Sequence, residues 1–129
     1  MKTILIVDDD PNVVTMLRDV MEADGYRVQE AINGGSALEQ LGIDPPKSGV
    51  ELPDVVLLDI MMPVIDGYTV ASRMQGNPDT CRIPIVIITA KGAMRDVFEA
   101  SPSVKSFIEK PFDPTALRDT VKRILSRAS

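Results

Sequence analysis

Short apolar runs and helical repeats alternate along the chain. "ILIV" (4–7), "VVLL" (55–58) and "IVII" (85–88) are continuous runs rich in β-branched residues. Runs of this length and makeup predict strands covered on both faces, as in a parallel sheet. "YRVQEA" (26–31) and "VKSFI" (104–108) alternate instead, so Tyr26 and Val28, and likewise Val104 and Ile108, are expected to face one way. Alternation suits strands at the sheet edges, where one face is partly solvated.

Helix signals fill the gaps. Asp10-Pro11 reads as an N-cap followed by proline at the first helical position; Val13, Val14, Leu17, Val20 and Met21 then keep a helical period until Gly25. Asn33 can cap a second helix carrying Ala37, Leu38 and Leu41, closed by Gly42. Residues 67–75, with Val70, Ala71 and Met74, predict a third, ended by Gly76-Asn77-Pro78. Asp113-Pro114 repeats the cap-plus-proline device before Leu117, Val121, Ile124 and Leu125. The weakest helix pattern is 92–100, between the fourth and fifth strands, where Gly92 opens it and Pro102 cuts it short. Residues 43–53, "IDPPKSGVELP", are proline-rich and unpatterned, which predicts a surface loop or insertion.

The sum is an α/β fold of five βα units. Strands 1, 3 and 4 have buried character, and strands 2 and 5 edge character. With right-handed crossovers, that burial pattern favours a doubly wound parallel five-stranded sheet of order 2-1-3-4-5, flavodoxin-like. Such sheets bind ligands outside the carboxyl ends of their strands, near the switch between strands 1 and 3.

Composition narrows the function. At 129 residues the expectation is a single domain, 1–129, with a proper core. Fourteen basic against 19 acidic residues give a net charge of −5, which argues against nonspecific nucleic-acid or membrane-surface binding. A lone cysteine, Cys81, allows no internal disulfide and fits a reducing compartment. "MKTILIV" is too short for a signal-peptide core, so a cytoplasmic location is expected. With no histidine, His-based general-base catalysis, imidazole metal ligation and phosphohistidine on this chain are excluded.

The strand ends carry the remaining chemistry. "ILIV" runs into Asp8-Asp9-Asp10, "VVLL" into Asp59, "IVII" into Thr89, and the fifth strand is followed by Lys110-Pro111. Carboxylates, a hydroxyl and an ammonium thus meet at one rim. A carboxylate site without histidine or cysteine is oxygen-only, which suits Mg²⁺ over zinc or copper. An aspartate can also attack phosphorus to give an aspartyl phosphate, with metal, lysine and hydroxyl stabilising the equatorial oxygens.

Together "ILIVDDDP", "DVVLLDIMMPVIDG", "IVIITA" and "FIEKPF" resemble the receiver domain of two-component response regulators, the chemotaxis-regulator-like fold, in order and over essentially the whole chain. The resemblance implies a phosphorylation-activated signalling switch, cytoplasmic and part of a phosphorelay. Asp59 corresponds to the phosphoacceptor, taking its phosphoryl group from a sensor histidine kinase or a histidine phosphotransfer protein. Asp9 and Asp59 correspond to direct ligands of Mg²⁺ (or Mn²⁺), Asp8 to a ligand acting through water, and the Met61 backbone carbonyl to a further ligand. Lys110 resembles the lysine that pairs with the acceptor or its phosphate, through a Lys110-Pro111 bond usually cis in this family. Thr89 resembles the switch hydroxyl and Phe107 the rotating aromatic. Asp10 falls outside this set and is assigned to helix capping.

On the same reading, a downstream protein docks at the face of the 92–100 helix, the fifth strand and the C-terminal helix, with no direct nucleic-acid or membrane contact. With no output domain read in these 129 residues, the expectation is either a protein that works alone by docking to partners or one domain of a longer protein. The protein is expected not to be an enzyme beyond catalysing its own phosphorylation and dephosphorylation. Lys91 and Met61 flank the phosphoryl position. A methionine cannot orient an attacking water, which predicts a long-lived aspartyl phosphate.

Two alternatives stay open. A degenerate receiver would serve only as a protein-interaction module. An aspartate-dependent phosphohydrolase of the haloacid-dehalogenase kind would use Asp8 and Asp10 in an Asp-x-Asp motif, but Pro11 and Asn12 follow it and the chain has no room for a cap.

Overall fold

A computed structural model describes residues 1–90 and 102–128. The 92–100 helix and Lys91 lie outside the described residues. The elements are β1 (Thr3–Val7), α1 (Pro11–Ala23), β2 (Arg27–Ala31), α2 (Gly34–Gln40), β3 (Val55–Asp59), α3 (Gly67–Gln75), β4 (Ile85–Ala90), β5 (Val104–Lys110) and α4 (Pro114–Ala128). All strand pairs are parallel, and the sheet order is β2-β1-β3-β4-β5. This is the predicted doubly wound sheet.

Burial follows the sequence pattern. β1 and β3 are buried at every position, whereas β2 and β5 are mixed. Alternate residues feed two cores. Leu5, Val7, Val56, Leu58, Ile85 and Ile87 pack with α2 and α3 on one face. Ile4, Ile6, Val55, Leu57, Val86 and Ile88 pack with α1 and α4 on the other.

The helix starts behave as their capping residues dictate. The Asp10 side chain accepts from the Asn12 N–H (2.9 Å), with Pro11 at the first helical position. Asn33 accepts from Ser36 N–H (2.7 Å) and Asp66 from Thr69 N–H (2.8 Å). Each satisfies an N–H that the helix itself leaves unpaired.

Two expectations need correction. Val104 and Ile108 do not face the same way: Val104 packs on the α2/α3 side and Ile108 on the α1/α4 side. Ile85 pairs with Val104 but Val86 with Ser106, so Lys105 is an extra residue. Such a bulge inverts the facing of everything on one side of it. The 43–53 connection is also not merely a surface loop. Ile43 is buried in the core, and its N–H donates to the Leu38 carbonyl (2.9 Å).

Candidate functional site

The carboxyl ends of β1, β3 and β5 bring one carboxylate set around one ammonium. Asp8 follows β1 and is 1% exposed; Asp59 ends β3 and is 4% exposed. Lys110, the last residue of β5, places Nζ 3.0 Å from Asp8 Oδ2 and 3.7 Å from Asp59 Oδ2. Asp9 is exposed beside them, and Asp8, Asp9 and Asp59 each offer an oxygen within 4.8 Å of the others. Asp10 is not in this group; it turns outward to cap α1.

Backbone contacts hold the two buried carboxylates. Asp8 Oδ1 accepts from the Asp10 N–H (2.9 Å), and Asp59 Oδ1 accepts from the Met61 N–H (3.2 Å). Gly67 has a role that sequence reasoning missed. A Cβ there would lie 2.3 Å from the Asp59 carbonyl oxygen, so no larger residue lets α3 approach this strand end. The only signal in the sequence was a glycine directly after the capping Asp66.

One ammonium does not neutralise this many carboxylates. Burial, and next the Asp8 charge, push the Asp59 carboxyl up to about 6, with Asp9 adding to them against the opposing pull of Lys110 and the Met61 N–H. At Lys110, burial works to lower the pKa, but the hydrogen bond and charge of Asp8, then Asp59 and Asp10, outweigh it and raise it. The site is therefore short of positive charge. Carboxylate oxygens with no nitrogen or sulfur donor fit a hard divalent cation of the Mg²⁺ type.

Thr89 lies on β4 and is fully buried, and its Oγ1 has no hydrogen-bond partner among the described residues. By strand alternation it shares a face with Ile87, which pairs with Phe107. Thr89 and Phe107 are thus diagonal neighbours on one side of the sheet, within reach of each other. The Met61 side chain is 65% exposed beside the acceptor position. Three residues further on, Val64 is fully exposed with φ +68°, a left-handed conformation unfavourable for a β-branched residue. The Lys110-Pro111 peptide is cis, as the resemblance implied.

Comparison with known proteins agrees with this geometry. The family model of the response regulator receiver domain matches residues 4–122. The chain belongs to this family. Receiver domains are the phosphoaccepting switches of two-component systems, bind Mg²⁺ in an acidic pocket, and interact with histidine kinases and downstream effectors. This receiver domain is 35% identical over 131 residues to the DNA-binding dual master transcriptional regulator RpaA of Synechocystis, covering 98% of this chain and 50% of that one. The chain thus spans about half the length of that relative. A putative response regulator from Chloroflexus aurantiacus superposes with a TM-score of 0.85 at 38% identity, covering 97% of this chain and 98% of that one. The response regulator TrrA from Thermotoga maritima, solved in complex with Mg²⁺-BeF, superposes with a TM-score of 0.81 at 32% identity, covering 96% and 99%. No helix among the described residues is long and apolar enough to cross a membrane.

Proposed function

We propose that this receiver domain accepts a phosphoryl group on Asp59 from the phosphohistidine of a kinase or phosphotransfer protein, and that the modification changes its affinity for a downstream protein. The observation that carries the reading is the Lys110 ammonium bridging Asp8 and Asp59 at the end of β3, beside a carboxylate set short of positive charge. In the transfer an Asp59 carboxylate oxygen forms the O–P bond as the donor's N–P bond breaks, and the leaving imidazole takes its proton from solvent. Asp8, Asp9, Asp59 and the Met61 carbonyl would hold Mg²⁺. Bound there, the cation supplies charge stabilisation to the transferring phosphoryl oxygens.

The chain's own residues do the rest. Lys110 Nζ, already 3.7 Å from Asp59 Oδ2, moves to a phosphoryl oxygen as the carboxylate becomes an acyl phosphate. The Thr89 hydroxyl has no acceptor among the described residues, and leaving such a group buried costs about 1–3 kcal/mol. A phosphoryl oxygen is the acceptor it lacks. Moving Thr89 toward the rim vacates space beside Phe107, which follows, and the β5 side of the domain shifts between two packings. Catalysis is confined to the chain's own phosphorylation and dephosphorylation, in one domain spanning 1–129 that works in the cytoplasm.

The test is treatment with acetyl phosphate, with Mg²⁺ or with EDTA, read by intact mass. The wild type should gain one phosphoryl group only with Mg²⁺, and Asp59→Asn none. Labelling that persists in Asp59→Asn overturns the assignment. A folded wild-type chain that never labels points to a degenerate receiver acting as an interaction module. The phosphohydrolase alternative loses its motif here, because Asp10 stands outside the carboxylate cluster.

A further inference from the structure

The end of the sheet opposite the acidic rim carries the reverse charge. Arg82 and Pro84 before β4, Lys105 in β5, and Arg123, Ile124 and Arg127 on α4 line one cleft of about 410 Å³. Pro84 and Ile124 are buried and form an apolar floor, while the four cationic residues around it are exposed. None of the four pairs with a carboxylate among the described residues. This concentration stands out in a chain whose net charge is −5.

Two local features gather these charges. Arg123 and Arg127 are one turn apart on α4, a like-charge spacing that by itself weakens a helix. Lys105 is the extra residue of the β5 bulge, a device that re-aims a side chain, and its Nζ donates to the Pro102 carbonyl (3.0 Å). Both bring positive charge to the same cleft.

The lining also indicates what would bind. A small phosphorylated molecule is held by donors fixed in place by burial. Here the donors end long, exposed side chains, and the buried part of the cleft is apolar. That combination suits a protein segment whose apolar side chain seats on Pro84 and Ile124 while its carboxylates meet the guanidinium forks. We infer that this cleft docks an acidic segment of a partner protein, one apolar side chain flanked by carboxylates. β4 has six residues and separates the cleft from the acidic rim by roughly 20 Å, so docking here does not compete with chemistry at Asp59. The inference is independent of the phosphotransfer reading.

The test uses the 129-residue chain and a fluorescent acetyl-Glu-Asp-Leu-Glu-Asp-amide peptide, followed by anisotropy at about 0.15 M salt. The wild type should bind it, and Arg123→Glu/Arg127→Glu should weaken binding roughly tenfold or more. Lys2→Glu/Lys47→Glu makes the same change in net charge outside the cleft and should alter affinity by less than about threefold, because salt screens distant charges. Replacing the central leucine of the peptide with serine should weaken binding severalfold. Lys105→Glu gives a second readout should the helix variant fail to fold, as judged by circular dichroism. Equal losses in the cleft and control variants, no binding by the wild type, or inorganic pyrophosphate bound in preference to the peptide would each overturn the inference.

Discussion

Substituting Asp59→Asn should stabilise the metal-free protein at neutral pH, and the gain should fade as the pH falls. The Asp59 carboxyl is 4% exposed and titrates near 6 rather than at its ordinary 3.8, because burial and Asp8 resist its ionisation. At about 1.36 kcal/mol per pH unit, ionising it in the folded state costs at most about 3 kcal/mol. Asparagine keeps the shape, and its oxygen can still accept the Met61 N–H. Lys110 retains Asp8 at 3.0 Å as its partner. Since the amide must itself be desolvated, the realised gain should be about 1–2 kcal/mol.

The sign of the pH dependence follows from proton uptake. The native state holds the Asp59 proton up to about pH 6, whereas the unfolded chain releases it near 3.8. Wild-type stability from this group is therefore fully present below 3.8 and lost as the pH rises through about 6. The variant has no such loss, so the difference opens across that window. Urea unfolding in EDTA, followed by far-UV circular dichroism because the chain has no tryptophan, measures it at several pH values. Excess Mg²⁺ should then stabilise the wild type more than the variant, which lacks one charged ligand. An Asp59→Asn protein no more stable than wild type at neutral pH in EDTA would refute the electrostatic reasoning. So would a difference that stays constant across the window.

Other substitutions test separate parts of the argument. Asp10→Ala should cost about 1 kcal/mol of stability through the lost cap while leaving Mg²⁺ affinity, read by titration calorimetry, unchanged. Thr89→Val should stabilise the unphosphorylated chain by about 1 kcal/mol in urea unfolding, by removing a buried hydroxyl without a partner, yet remove the effect of phosphorylation on partner binding. Met61→Gln places a group able to orient water beside the acceptor and should shorten the aspartyl-phosphate lifetime severalfold, measured by loss of label over time. Val64→Gly should raise stability by about 0.5–1 kcal/mol, the relief of left-handed strain exceeding the entropy cost of glycine, again by urea unfolding.

Local physics made most of the fold legible in the sequence. Four-residue runs rich in β-branched residues, bounded by turn signals, favour strands covered on both faces, and Asp-Pro or Asn starts with glycine stops mark helix ends without reference to the rest of the chain. Sheet order followed because burial character alone separates central from edge strands. The rim residues Asp8, Asp9, Asp59, Thr89 and Lys110 were legible because parallel strands deliver their carboxyl ends to one side.

Only the tertiary structure decided the features that depend on distance between remote residues. Nothing local distinguishes Asp59 from a turn aspartate; its raised pKa arises because the fold buries it and then sets Asp8, 51 positions earlier, beside it. The bulge at Lys105 is a mismatch between two strands, so the alternation of β5 alone predicts the wrong facing for Val104. Ile43 enters the core because the turn after α2 folds back, and Gly67 is required because another backbone passes within van der Waals contact. The basic cleft combines positions 82, 105, 123 and 127, which read separately as solvated surface charge. Periodicity and capping act within a few residues and are written in the chain, whereas charge, clearance and orphaned hydrogen bonds exist only once distant segments are in contact.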